Sequence, residues 1–208
     1  MTGVFQELFP TVLGFYELDI DNDSLYTSVK DLESTHDGRY LDDLIFQSKG
    51  NLHHHKDFLD LNQKVQNCAI DYLKNHHYKF SEQDVFLSNC WANLSRNYAC
   101  THRAHIHRNT LISAVYFINA PKGCGKLYFP HPNVTGEMLR ADDDSLHHYN
   151  WMEYVVDPKP GLCVIFKSST LHGVEQNKFE NPKDERLSLG YTFNLKNIGR
   201  YSDYAKST

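Results

Sequence analysis

Two patterns of apolar positions divide the chain. In the first 80 residues the apolar positions recur mainly at helical spacing; beyond about Phe80 they gather in short runs rich in aromatic and β-branched residues. An apolar segment from Phe9 to Leu18 ends on the polar turn IDNDS, which suits the capping of a short helix over SLYTSVKDLES. From Asp57 to His76, the residues Phe58, Leu61, Val65, Cys68 and Tyr72 fall at spacings of three and four, so one face of a second helix is apolar. Six later runs predict strands: DVFLSNCWANLS, TLISAVYFIN, GKLYF, MEYVV, GLCVIF and RLSLGYTFNL. The turn segments APKGCG, PHPN and DPKPG separate several of them. The pattern predicts an α+β chain, mainly β, whose helices precede a sandwich or barrel. We expect one domain over 1–208, with a helical support region at 1–80, a β core at 81–197 and a frayed tail at 198–208. A long loop is expected from Val134 to Asn150.

Composition narrows the class. A chain of 208 residues that is 40% hydrophobic and 13% aromatic can build a core and is not disordered. The net charge of −5 argues against a bulk electrostatic grip on nucleic acid. Five cysteines, at 68, 90, 100, 124 and 163, form no CxxC pair, as expected of reduced thiols in a cytoplasmic protein. The apolar N-terminal stretch is interrupted by Glu7 and Pro10 without a basic leader, so it does not read as a signal peptide. No apolar run approaches the roughly 20 residues of a membrane span.

The 13 histidines carry the candidate chemistry. His53, His54 and His55 are consecutive, so their side chains diverge and read as a solvated run. His76 and His77 follow the second helix, where imidazolium suits the C-terminal dipole. His36, His147 and His148 sit in polar surroundings. His105 and His107 differ: at i, i+2 on an extended chain they share one face, about 7 Å apart at the backbone. His102, three residues before His105, is turned by the same geometry to the opposite face. A third histidine, His172, follows the strand GLCVIF, and Arg186 opens another strand as RLS. Two histidines from one strand and one from a distant strand make a mononuclear metal site with open positions, of the kind iron(II) oxygen chemistry uses. Arg186 and Ser188, sharing a face, would hold a carboxylate by a bidentate fork and a hydroxyl. Without the three histidines, the favoured reading of Arg186 is a surface partner of Asp184 or Glu185, and of Ser188 an ordinary strand residue.

Beyond these residues, the segments LFPTVL, CWANLS, HIHRNTLISAVYFINAP, GKLYFP, PKPGLCVIFKSSTLHGVEQN and ERLS resemble the 2-oxoglutarate- and iron(II)-dependent oxygenases, in particular a group found in bacteriophages and marine bacteria. The resemblance covers the C-terminal half closely and the first part loosely. It implies a double-stranded β-helix, a jelly roll with the N-terminal helices packed outside. By this resemblance His105 is the first iron ligand, Ile106 the spacer and His172 the last ligand. His107 stands where most of the superfamily has Asp or Glu. Three histidines, a carboxylate from elsewhere and weak iron binding are the alternatives this departure leaves open.

The resemblance also implies that Arg186 and Ser188 bind the far carboxylate of 2-oxoglutarate, with NKFENPKDE as a loop insertion before them. Asn93 and Tyr116 would line the cosubstrate site, and a tyrosine is common where Phe117 stands. The implied cofactors are Fe(II), 2-oxoglutarate and O2. The implied reaction is hydroxylation of a substrate with release of succinate and CO2. The substrate class stays open among a protein side chain, a nucleobase and a small metabolite, and the loop from Val134 to Asn150 with Trp151 is a candidate lid. Three rivals remain: a non-catalytic jelly-roll module, a three-histidine cupin-like protein that does not use 2-oxoglutarate, and a catalytic zinc centre.

Overall fold

The computed structural model describes every residue except 1–2, 5–6, 8, 42–43, 97, 133–150 and 197–208. The candidate lid and the tail lie outside the described residues; Trp151, at the edge of the former, packs on Tyr154 with ring centroids 5.1 Å apart.

Eleven strands, two α-helices and three short 3₁₀ turns make up the described elements. The strands, in chain order, are β1 (Gly14–Glu17), β2 (Gly38–Leu41), β3 (Ile45–Ser48), β4 (Val85–Ser95), β5 (His102–His105), β6 (Ile112–Asn119), β7 (Leu127–Pro130), β8 (Glu153–Val156), β9 (Leu162–Lys167), β10 (His172–Val174) and β11 (Arg186–Leu195). The helices are α1 (Asn22–Ser34) and α2 (Leu59–Asn75). Seven strands pair in the order β1-β9-β6-β11-β4-β3-β2, and four in the order β5-β10-β7-β8. Every strand pairing in both sheets is antiparallel. Together they form the jelly roll that the strand pattern and the family resemblance imply.

The strand period of two sets the layers. Along β11, Leu187, Leu189, Tyr191 and Phe193 point outward into a core shared with α1 and α2. Between them, Arg186 and Ser188 point inward to a cavity between the sheets. A second apolar cluster, Phe117, Leu127, Phe129, Val156, Val164 and Phe166, joins the sheets beside that cavity.

Both predicted helices form. Asp21 Oδ1 accepts from the backbone N–H of Ser24 at 3.1 Å and caps α1, as the IDNDS turn predicts. On α2, Leu61, Val65, Cys68 and Tyr72 are buried, and Phe58 is buried in the 3₁₀ turn before it. The first 80 residues also supply three strands that the apolar pattern did not signal. β1 pairs with β9 at one edge of the larger sheet, and the β2–β3 hairpin pairs with β4 at the other. GRYL and IFQS are four residues each, too short for an alternation to register; IFQS pairs with the distant β4 and GRYL with IFQS. All five cysteines are buried and unbridged. Among the described residues, no helix is long and apolar enough to cross a membrane.

Candidate functional site

Three imidazoles meet between the sheets. His105 and His172 are register partners on β5 and β10, and His107 lies just past the end of β5, its backbone N–H donating to the Ser168 carbonyl at 3.0 Å. One nitrogen of each of the three rings lies within 4.8 Å of the others, an arrangement able to hold one metal ion. The ring centroids are 4.5 to 5.1 Å apart.

Backbone carbonyls choose the free nitrogen in two of the three rings. His105 Nδ1 lies 2.8 Å from the Arg103 carbonyl, and His172 Nδ1 lies 2.9 Å from the Thr170 carbonyl. A carbonyl oxygen only accepts, so both Nδ1 atoms carry the proton and both Nε2 lone pairs remain available. Burial holds His107 down at about 4 and His172 at about 3, with the neighbouring imidazoles adding to the effect. Both rings are therefore neutral, as metal ligation requires.

No carboxylate is found among the described residues that line this cavity of about 120 Å³. Of the alternatives left open at His107, the three-imidazole set is the one the geometry fits. Such nitrogen donors suit iron, nickel or zinc.

On the opposite wall, Arg186 is 2% exposed. Its Nε donates to the Gly125 carbonyl at 3.0 Å, and its Nη1 to Ser188 Oγ at 2.9 Å. Its guanidinium carbon stands 5.3 Å from the centroid of the Phe117 ring. Nη2 is buried with no partner among the described groups. Burial lowers Arg186 to about 10, so it remains charged at neutral pH. A buried cation with a free donor beside a hydroxyl fits an incoming carboxylate, which would satisfy both. The surface ion pair considered for Arg186 is instead made by its neighbour Glu185, which binds Arg96 and Lys30.

Gly125 makes this wall possible. A Cβ there would lie 2.1 Å from the Glu175 carbonyl oxygen, so only glycine allows the two segments to cross this closely. The segment NKFENPKDE is anchored rather than loose: Asn177 accepts from the Gly125 N–H at 2.8 Å, and Phe179 is 3% exposed.

Asn93 lies on the cavity wall, opposite Ser188 on the neighbouring strand. Tyr116 does not. It points out of the other face of β6 into the helix-side core, where its hydroxyl donates to Asn22 Oδ1 at 2.8 Å. Phe117, its neighbour, faces inward instead. His102 corrects the expectation in the opposite direction, since it lines the cavity near Arg186, whose charge adds to burial in lowering His102 to about 4. The cause is a bulge: two steps along β10, from His172 to Val174, match three along β5, from His105 to His102. The extra residue resets the alternation, so His102 and His105 face the same way. Gln47 and Trp91 also line the cavity and carried no signal in the sequence.

A family model described as "Putative 2OG-Fe(II) oxygenase" matches residues 89–194, just over half of the chain. No curated protein matches the sequence. Among solved structures, a Pseudomonas putida prolyl-4-hydroxylase is similar at 15% identity, covering 89% of this chain and 94% of that one, with a TM-score of 0.60. The α-ketoglutarate-dependent epimerase SnoN from nogalamycin biosynthesis is similar at 12% identity over 95% of this chain and 86% of its own, with a TM-score of 0.62. HygX from Streptomyces hygroscopicus, solved with nickel, 2-oxoglutarate and hygromycin B, is similar at 8% identity over 90% and 84%, with a TM-score of 0.59.

Proposed function

The chain belongs to the 2OG-Fe(II) oxygenase family, and we propose that it is a dioxygenase that hydroxylates a C–H bond of its substrate. The observation that carries this reading is the pairing, across one cavity, of three converging imidazoles with the partnerless Nη2 of Arg186. When bound, Fe(II) with 2-oxoglutarate and O2 supplies oxidation of a C–H bond coupled to conversion of 2-oxoglutarate to succinate and CO2.

The chain's own residues do the rest. His105, His107 and His172 would hold the metal through nitrogens left free by the backbone contacts of the first and last. Arg186 and Ser188 would bind the far carboxylate of 2-oxoglutarate. Phe166, Leu127 and Val115 add apolar wall to the cavity, Phe166 packing on His172 with ring centroids 4.6 Å apart. With no carboxylate ligand among the described residues, the metal site would carry one more positive charge than a two-histidine, one-carboxylate set, which favours retention of the anionic cosubstrate.

The partnerless arginine favours this reading over a non-catalytic jelly roll or a three-histidine protein without 2-oxoglutarate, neither of which needs a buried cation beside the metal site. The resemblance to SnoN keeps epimerisation as a second outcome for the same site. The substrate is proposed to be a protein side chain, a nucleobase or a small metabolite. Anaerobic titration with Fe(II) and 2-oxoglutarate tests the assignment. A metal-to-ligand charge-transfer band in the wild type that is lost in Arg186→Ala is the expected result. No band, or one unchanged by the substitution, overturns it. Succinate formation in air then identifies turnover among candidate substrates, and the mass of the substrate-derived product separates hydroxylation, which adds one oxygen atom, from epimerisation, which leaves it unchanged.

A further inference from the structure

Four polar side chains stand in line on the cavity face of the larger sheet. Arg39 on β2 is the register partner of Gln47 on β3, Gln47 of Asn93 on β4, and Asn93 of Ser188 on β11. Antiparallel partners share a face, so the line runs from the exposed hairpin to the buried Arg186–Ser188 pair. Hydrogen bonds join its outer three members. Arg39 Nη2 donates to Gln47 Oε1 at 3.0 Å, and Gln47 Nε2 donates to Asn93 Oδ1 at 3.1 Å.

The direction of this chain is fixed at its outer end. A guanidinium has donors and no acceptor, so Gln47 must turn its oxygen toward Arg39 and its NH2 toward Asn93. Asn93 must then turn its oxygen toward Gln47, which commits its Nδ2 to the cavity side. That nitrogen donates to no other described residue. Asn93 and Arg186 line the same cavity, and the Nη2 of Arg186 is likewise without an acceptor. Two donors, Asn93 Nδ2 and Arg186 Nη2, thus line one cavity without a described acceptor of their own, the complement of a carboxylate-bearing ligand.

We propose that Arg39 and Gln47 are positioning residues that pin the Asn93 amide so that its Nδ2 donates to 2-oxoglutarate. The proposal rests on the oxygenase reading above. It assigns a role in cosubstrate affinity to Arg39, an exposed residue on an edge hairpin outside the cavity lining.

Reversing the outer end of the chain tests it. In Arg39→Glu, a carboxylate accepts where the guanidinium donated. Gln47 then turns over and Asn93 presents its oxygen to the cosubstrate. Anaerobic 2-oxoglutarate titration of the Fe(II)-loaded protein, read by the charge-transfer band, is expected to show affinity weakened roughly ten- to a hundredfold. Arg39→Lys, still donor-only, is expected to bind as the wild type does. In an Asn93→Ala background, Arg39→Glu is expected to change affinity by less than about twofold, since nothing remains to reverse.

Wild-type affinity in Arg39→Glu overturns the proposal, and so does a full loss that persists without Asn93, which would mark a direct charge effect. Gln47→Glu, compared in the wild-type and Asn93→Ala backgrounds, imposes the same reversal from inside the chain and keeps the test decisive if Arg39→Glu does not fold, since the direct effect of its charge on the cavity persists without Asn93 and the reversal does not. The wild type and Arg186→Ala separate the two levels of the argument. Absence of 2-oxoglutarate binding by the wild type sinks the oxygenase reading itself. Binding that depends on Arg186 and is indifferent to Arg39→Glu sinks only the positioning role.

Discussion

His172 and His105 face each other as register partners across β10 and β5, and each ring is fixed by the carbonyl two residues before it, Thr170 and Arg103. Each strand thus carries its own device for presenting Nε2. Replacing either histidine with alanine removes one of the three donors found among the described residues. Co(II) or Fe(II) affinity is expected to fall at least about tenfold by calorimetry, with the melting temperature of the metal-free protein changing much less for exposed His105 than for buried His172.

His107→Asp restores the carboxylate common in the superfamily and brings one negative charge to the metal. It is expected to tighten binding of the divalent metal and weaken that of 2-oxoglutarate, because the loaded site loses one unit of positive charge. Calorimetric titrations of metal and then of 2-oxoglutarate check the two opposite signs. Changes of the same sign would show that the charge of the donor set does not govern cosubstrate retention.

Arg186 is a buried cation with an unsatisfied donor in the ligand-free protein. Arg186→Met keeps much of the volume and removes the desolvated charge, so it is expected to raise the melting temperature of the ligand-free protein by a few degrees while abolishing 2-oxoglutarate binding. In the wild type, saturating metal and 2-oxoglutarate are expected to raise the melting temperature through binding linkage, and in the variant 2-oxoglutarate adds nothing. Differential scanning fluorimetry with and without the ligands reads both effects.

Gly125→Ala places a methyl group against the Glu175 carbonyl and displaces the carbonyl that accepts from Arg186 Nε. Denaturant titration is expected to show a loss of roughly 1–3 kcal/mol. Weakened 2-oxoglutarate binding should accompany it, because the crossing and the arginine share one backbone position.

An ion cluster ties α1 to the start of β11. Arg96 binds both Glu33 and Glu185, and Lys30 and Tyr26 also reach Glu185. Hydrogen bonds from Arg96 outweigh burial and hold Glu33 at about 2. For Glu185, burial acts upward, but the bonds from Tyr26, Lys30 and Arg96 leave it lowered. Their folded values lie below the ordinary value of 4.5, so the stability they contribute is fully present above that pH and is lost as pH falls toward 2. Urea midpoints measured from pH 7 to 2 should fall across this window. Glu33→Gln should flatten the fall and lower the neutral-pH midpoint.

Much of this site was legible because its signals are local. The spacing of Phe58 to Tyr72 required a helix, and the late apolar runs required strands. HIH, the histidine after GLCVIF and the RLS strand opening carried the metal and carboxylate chemistry as an ordered set. Where the sequence reading went astray, local spacing was a poor guide to direction. Tyr116 and Phe117 sit in ISAVYFIN, which is buried on both faces of its sheet. A strand covered on both sides shows no alternation from which to tell inward from outward.

The sequence by itself determined the two helices, the strands after Phe80 and the candidacy of His105, His107, Arg186 and Ser188, because each rests on residue identity and short-range spacing. Tertiary structure alone decided which faces those residues share. A bulge between β5 and β10 turned His102 into the cavity, and pairing to β4 made a hairpin of 38–48 and brought Gln47 to Asn93. Both are matters of register between strands far apart in the chain. Register is set by the total burial and hydrogen bonding of the two sheets, not by any segment's own pattern.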